Sequence, residues 1–98
     1  MEIKKQINDK ELTIELKGRL DTSTAPQFEE AVKESLAGMT SFILDLKELE
    51  YMSSAGLRII LTAQKTMNKQ GKMVIRNVND TIMEVFDMTG FADILTIE

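Results

Sequence analysis

The sequence predicts an α/β fold: one domain over residues 1–98, with a mixed β-sheet of about four to five strands packed against about four helices. Segments in which apolar and polar residues alternate predict strands, and segments with apolar residues three and four apart predict helices. The two kinds of segment alternate along most of the chain. A length of 98 residues suffices for one core and is too short for two.

The first segment predicts a β-hairpin. The run Asn8-Asp9-Lys10 supplies turn residues between two strands. The first strand carries Ile3 and Ile7, and the second places one apolar face in the core through Leu12, Ile14 and Leu16. Gly18 is expected to allow a bend before Leu20.

The first helix has explicit start signals. Thr24 is expected to cap it, Gln27 is the capping-box partner three residues later, and Pro26 lies in the first turn. Gly38 is expected to stop it. The residues that recur at helical spacing within it are Phe28, Ala31, Val32 and Leu36.

A central strand and a second helix follow. Residues 41–46 form a short apolar run that predicts a strand buried on both faces, followed by a polar loop. The helix is expected to begin at Ser53 or Ser54 and to end at Gln70-Gly71. Its predicted buried stripe is Leu57, Ile60, Leu61 and Met67, and its predicted opposite face is Arg58, Thr62, Lys65 and Lys69.

The last third of the chain predicts one more strand and one more helix. Met73-Val74-Ile75 is the strand. Asn79 or Asp80 is expected to cap the helix, and Thr89-Gly90 to close it. Residues 91–97 predict a short helical turn and a final strand. The expected order is β-β-α-β-α-β-α with a small tail.

Composition argues against an enzyme. The chain contains no histidine and no cysteine, which excludes a Ser-His-Asp site and thiol chemistry. Neither a Gly-x-Ser-x-Gly elbow nor a phosphate-cradling glycine loop is present. The carboxylates have no recognisable metal-ligand spacing. We therefore expect no catalytic residues, no cofactor and no metal site.

Charge and hydropathy point to protein partners. The net charge is −4 and no Lys/Arg tract is present, so direct nucleic-acid binding is not expected. No apolar run approaches the ~20 residues that cross a bilayer, and residues 1–10 carry charges where a signal peptide would be apolar. We expect a cytoplasmic protein without membrane insertion.

Two serines stand at the predicted start of the second helix. The first N–H groups of a helix lack internal partners and the helix dipole is positive there. Ser53 and Ser54 can each act as a simple cap, and either can carry a phosphate that accepts those N–H bonds. Ala55 and Gly56 are expected to leave room for another protein to approach the hydroxyl.

Three blocks of the sequence together resemble the STAS domain family, and specifically its stand-alone bacterial anti-sigma factor antagonists. They are residues 18–25 (GRLDTSTA), residues 44–57 (LDL through YMSSAGL) and residues 85–91 (VFDMTGF), in the family's order and spacing. The resemblance covers essentially the whole chain.

The resemblance implies a partner switch. An anti-sigma factor with serine kinase activity would phosphorylate Ser54, two residues before Gly56. The unmodified protein would bind that factor and free the sigma factor, the phosphorylated form would release it, and a PP2C-type phosphatase would reset it. The family's acidic residue near the modified serine corresponds to Asp21. Many members have Asp where this chain has Ser53, which leaves Ser53 as an alternative acceptor.

A set of residues around this serine is expected to contact the partner. Arg58 lies one turn from Ser54, and the methionines Met52 and Met88 are candidates for lining the interface. The full predicted set is Asp21, Thr22, Ser23, Met52, Ser53, Ala55, Gly56, Arg58 and Met88. An alternative function is that of an accessory subunit of a transport or signalling complex, which has the same fold and no phosphorylation switch.

Overall fold

A computed structural model describes all residues, 1–98. The strands are β1 (Glu2–Asn8), β2 (Glu11–Leu20), β3 (Ser41–Met52) and β4 (Lys72–Arg76). The helices are α1 (Ala25–Ser35), α2 (Ser54–Gln70) and α3 (Asp80–Thr89), followed by a short 3-10 turn (Phe91–Asp93). The predicted α/β class, the element order and the helical turn at the end are confirmed. The predicted final strand is reduced to one bridge between Ile75 and Ile97.

The sheet is mixed and its strands lie in the order β1-β2-β3-β4. The predicted hairpin pairs β1 and β2 antiparallel, whereas β2–β3 and β3–β4 are parallel because a helix connects each pair. Gly18 lies at an irregularity in the β2–β3 register with a φ of 103°, which confirms the predicted bend. Parallel pairing brings the carboxyl ends of β2 and β3 to one edge of the sheet.

The helices cover only one face of the sheet. The buried side chains of β2 and β3, among them Ile14 and Leu44, form one cluster with the buried residues of all three helices. Ile43 and Val74 point to the other face and are only half-buried. The prediction that the central strand is buried on both faces is therefore wrong. A helix over the second face is missing, so that face meets solvent.

The central strand is longer than predicted. β3 continues past Leu46 to Met52, through the largely polar stretch Lys47–Glu50. Pairing with β2 supplies hydrogen bonds for this polar stretch, and the buried side chains Leu49 and Met52 hold it against the core. The predicted polar loop before α2 is reduced to Ser53.

The start of α1 also differs from the prediction. Thr24 precedes the helix, but its side chain accepts no hydrogen bond from the first turn, and Gln27 donates to the carbonyl of Met1 (3.4 Å). The Thr24 hydroxyl instead bridges backward, accepting from the N–H of Asp21 (2.9 Å) and donating to the carbonyl of Arg19 (2.8 Å). Thr24 therefore anchors the turn before the helix.

The ends of the other two helices follow the sequence signals. α2 starts at Ser54 with Ser53 as its N-terminal flanking residue, and it ends at Gln70. Asn79 caps α3 by accepting from the N–H of Ile82 (2.9 Å), and Gly90 ends that helix. None of the helices is both long enough and apolar enough to cross a bilayer.

Candidate functional site

The site lies where β2 and β3 end together. Leu20 and Met52 are partners in the parallel ladder, and the N–H of Ser53 donates to the carbonyl of Leu20 (2.8 Å). The first two sequence blocks, which are 19 positions apart in the chain at their nearest residues, Ala25 and Leu44, thereby become neighbours. This edge carries the turn that begins at Asp21 and the start of α2.

Ser54 is the accessible residue at this edge. It is the first residue of a 17-residue helix, and its side chain is exposed. Ser53 offers no side-chain cap to the helix, so the first N–H groups of α2 have no acceptor from that residue. An oxyanion on Ser54 would meet the positive end of the helix dipole.

Ser53 has a different environment. It is half-buried, and its hydroxyl oxygen is inaccessible to solvent and has no hydrogen-bond partner. Its backbone is fixed by the bond to Leu20 and by the carbonyl that accepts from the N–H of Leu57 (3.1 Å). In this conformation the Ser53 hydroxyl is therefore not presented at the surface.

Asp21 is held in a tight turn. One carboxylate oxygen accepts from the hydroxyl of Ser23 (2.7 Å), from the N–H of Ser23 (3.0 Å) and from the N–H of Thr24 (3.2 Å). The hydrogen bond from the Ser23 hydroxyl, followed by those from the two N–H groups, lowers the pKa of Asp21 below its ordinary value of 3.8. Asp21 is therefore a fixed negative charge at neutral pH.

Two residues that the sequence analysis did not single out complete the edge. The guanidinium carbon of Arg19 lies 4.4 Å from the centroid of the Tyr51 ring, and its Nε lies 3.9 Å from a carboxylate oxygen of Asp21. Arg19 and Tyr51 are ladder partners. Both lie within the motif blocks, but Tyr51 was placed in a loop, and their pairing depends on the irregular register between β2 and β3, which strand alternation does not predict.

A shallow groove leads from this edge between α1 and α2. Its volume is about 260 Å³. Three of the predicted contact residues, Thr22, Ala55 and Arg58, line it, together with Ala25, Pro26, Glu29, Ile59 and Thr62. Arg58 is exposed and forms no ion pair within the chain. The structure thus places Arg58 on the same helix face as the groove that begins at Ala55.

Two of the predicted contacts are buried. Met52 is 2% exposed and belongs to the core, because the ladder partner of Leu20 must point toward the helices. Gly56 is also buried, and a Cβ there would lie 2.5 Å from the side chain of Leu20. The expectation that these two residues meet a partner is corrected: Gly56 lets α2 approach β2, and Met52 fills the core beneath it.

The third sequence block lies on a separate element. Phe86 fills the core, and α3 packs against β3 and the 3-10 turn. Met88 is 87% exposed on the same helix. This block therefore supports the fold through Phe86, and α3 does not pack extensively against α1 or α2, the helices that flank the groove. No group of three acidic side chains comes together as a metal site.

Comparison with known proteins agrees with this architecture. The family model described as STAS domain matches residues 2–98. The chain is 33% identical over 104 aligned residues to the anti-sigma-B factor antagonist of Listeria monocytogenes serovar 1/2a, and the match covers 100% of this chain and 87% of that protein.

Solved structures share the fold. An anti-sigma factor antagonist from Mycobacterium paratuberculosis superposes with a TM-score of 0.89 at 20% identity, covering 98% of this chain and 83% of that one. SpoIIAA from Bacillus superposes in its unphosphorylated form with a TM-score of 0.85, covering 99% and 88% of the two chains at 19% identity. Its phosphorylated form gives 0.77, with 99% and 91% covered at 19% identity.

Proposed function

Because the chain belongs to the STAS domain family, we propose that it is an anti-sigma factor antagonist whose binding is switched by phosphorylation of Ser54. The observation that carries the proposal is the difference between two adjacent serines. Ser54 is exposed at the start of α2, beside the Asp21 turn, whereas the hydroxyl of Ser53 is buried. The name and the extent of the Listeria match support the same role.

The unphosphorylated protein binds an anti-sigma factor and so releases the sigma factor that the anti-sigma factor holds. The anti-sigma factor is itself the serine kinase that modifies Ser54, and a PP2C-type phosphatase restores the free hydroxyl. These steps take place in the cytoplasm. The protein itself catalyses no reaction: it is the substrate of both enzymes and regulates transcription through its partner.

The switch is electrostatic. A phosphate at Ser54 adds about −1.5 to −2 charges at neutral pH. The net charge of the chain is already −4, and Asp21 is a fixed carboxylate at the same edge. If the docked partner covers this edge, the added charge must lose water in an interface formed around an uncharged hydroxyl, and this costs several kcal/mol where no further cation pairs with the phosphate. A loss of ~1.4 kcal/mol already weakens binding tenfold.

The phosphate is not expected to unfold the protein. Negative charge at the N-terminus of a helix is favourable by ~0.3–1 kcal/mol at an exposed position. The free N–H groups at the start of α2 can donate hydrogen bonds to the phosphate without breaking any hydrogen bond of Ser54. Phosphorylation therefore changes what the surface can bind while the fold is retained.

Binding to the purified anti-sigma factor tests the proposal. We expect Ser54→Asp to weaken binding at least ~10-fold, since it places a permanent charge at the docking edge. Ser54→Ala should bind like the wild type and should not be phosphorylated by the anti-sigma factor and ATP. Titration calorimetry and intact-protein mass spectrometry measure the two properties.

Ser53→Ala is the matched control. It removes a buried hydroxyl that has no partner, so folding, binding and phosphorylation of Ser54 should all persist. Phosphate found on Ser53 in the wild type would contradict the assignment of Ser54. Retention of a transporter ATPase instead of an anti-sigma factor in a pull-down would favour the accessory-subunit role.

A further inference from the structure

We propose that Arg19 and Tyr51 form a second contact with the anti-sigma factor, a preorganised cation that binds a carboxylate of the partner and selects that partner. The inference rests on the proposed function, because it names a further part of the same docking edge. Arg19 and Tyr51 lie near the ends of β2 and β3, whereas Ser54 is the first residue of α2.

The two side chains are held together before any partner arrives. Arg19 and Tyr51 are paired across β2 and β3, and the guanidinium lies 4.4 Å from the ring centroid. The carbonyl of Arg19 accepts from the Thr24 hydroxyl (2.8 Å), which ties its backbone to the start of α1. A stacked arginine has lost much of its rotamer freedom already, so ordering it on binding costs little.

The guanidinium retains its capacity to bind an anion. It donates no hydrogen bond of standard length within the chain, and its one charged neighbour, Asp21, is 3.9 Å away. The Arg19 side chain is 61% exposed, and Tyr51 is 37% exposed. A planar guanidinium with free donors matches a carboxylate in two-point geometry, and Arg and Tyr are enriched among residues that dominate binding energy.

The position of Arg19 and Tyr51 allows the partner that binds at Ser54 to contact them as well. Leu20, next to Arg19, accepts a hydrogen bond from Ser53, next to Ser54, so both contacts lie at the carboxyl ends of the same two strands. Asp21 follows Leu20 in the chain, and its carboxylate, 3.9 Å from the Nε of Arg19, adds a fixed negative charge at this edge. The complementary surface therefore has an acidic group opposite Arg19 and a basic group opposite Asp21.

This pattern supplies specificity. Members of the family share the backbone that presents the serine, as the superpositions at about 20% identity indicate. Discrimination between partners must then come from side chains around that serine. An alternating pair of charges rejects a partner with the opposite order, because each mismatch places like charges in contact.

Charge reversal with a matched control tests the proposal. We expect Arg19→Glu to weaken binding of the purified anti-sigma factor at least ~10-fold, as for a hot-spot residue. Lys17→Glu changes the charge equally, two residues earlier on β2, at a side chain that is also 61% exposed. It should change affinity less than ~3-fold, because Lys17 lies farther than Arg19 from the carboxyl end of β2 and its ion pair with Glu48 is exposed on both sides.

Two substitutions of Tyr51 test whether the ring preorganises the Arg19 side chain. Tyr51→Phe keeps the ring under Arg19 and should bind like the wild type, whereas Tyr51→Ala removes it and should weaken binding. A Glu or Asp to Arg substitution in the anti-sigma factor that restores binding to Arg19→Glu would identify the carboxylate. Circular dichroism melting checks that each variant is folded.

The outcomes separate this proposal from the switch itself. Equal losses for Arg19→Glu and Lys17→Glu, or no loss for Arg19→Glu, would overturn the proposed contact while Ser54→Asp still weakened binding. Loss on Arg19→Glu with unchanged binding of Ser54→Asp would support the contact and refute the switch. Failure of the folded wild type to bind any anti-sigma factor would overturn both.

Discussion

Neighbouring residues at the start of α2 differ because each points in its own direction at the strand–helix junction. Ser53 still follows the extended backbone of β3, with a ψ of 174°, and its hydroxyl turns inward. Ser54 has entered the helix and its side chain faces solvent. Two adjacent residues thus differ in the accessibility of their hydroxyls, which is the basis for proposing Ser54 and not Ser53 as the acceptor.

Asp21 gives a prediction for the pH dependence of stability. Its pKa is lowered in the folded state by hydrogen bonds, chiefly from the Ser23 hydroxyl. The ionised form is therefore favoured by folding, so the contribution of Asp21 is present above its ordinary pKa of 3.8 and is lost as the pH falls through the lower folded value. As the pH is lowered from about 5 to about 2, we expect the free energy of unfolding to fall less for Asp21→Asn than for the wild type.

Urea unfolding at several pH values measures this difference. Glu30→Gln is the control, because it removes an exposed carboxylate of α1 that accepts no hydrogen bond from a side chain. Parallel stability curves for Asp21→Asn and the wild type would mean that the turn does not hold the carboxylate as described.

At the scale of elements, features set by nearby residues follow from the sequence, and features set by distant residues do not. The hairpin turn, the end of α2 and the cap of α3 all depend on residues within a few positions, and all three were predicted correctly. The length of β3 was not. Its polar second half, Lys47–Glu50, is ordered by pairing with β2, a strand that lies more than twenty residues earlier.

The cap of α3 provides a prediction at this scale. The Asn79 side chain accepts from the N–H of Ile82 and donates to the carbonyl of Leu49, both at 2.9 Å, so it joins the helix to β3. We expect Asn79→Ala to lower the free energy of unfolding by ~1–2 kcal/mol. Chemical denaturation measures the change.

Asn79→Asp separates the two contributions. Aspartate keeps the acceptor for Ile82 and loses the donor to Leu49, so its loss should be smaller than that of alanine. An alanine variant as stable as the wild type would show that neither bond contributes measurably to the folded state.

The whole molecule is one sheet with a single helical layer. Its core is a continuous cluster between the two layers, and β2 and β3, the strands that end just before Asp21 and Ser53, lie in the middle of the sheet. The docking edge is therefore supported by the most deeply buried part of the fold. A rigid edge presents Ser54 and Arg19 in fixed positions, which is what a surface that must discriminate partners requires.

The burial of the central strand provides a prediction for the stability and the cooperativity of unfolding. Leu44 is fully buried in β3, and we expect Leu44→Ala to lower the free energy of unfolding by ~2–5 kcal/mol. Ile43→Ala, on the open face of the same strand, should cost less because Ile43 is only half-buried. Circular dichroism at helix and strand wavelengths should change together in both variants.

Loss of helix signal before strand signal in the Leu44 variant would contradict a single core. Equal costs for the two substitutions would contradict the assignment of one covered and one open face. Both measurements require only the purified chain.

The sequence by itself determined the order and type of the main elements, a cap for α3 at Asn79 or Asp80, and a start for α2 at Ser53 or Ser54, because these follow from local spacing and local hydrogen bonds. Only the tertiary structure decided which neighbouring hydroxyl is accessible, that Met52 and Gly56 are buried, and that Arg19 lies over Tyr51. Those facts depend on the register between β2 and β3. A whole helix separates the two strands in the chain, and burial by distant residues leaves no local pattern to detect.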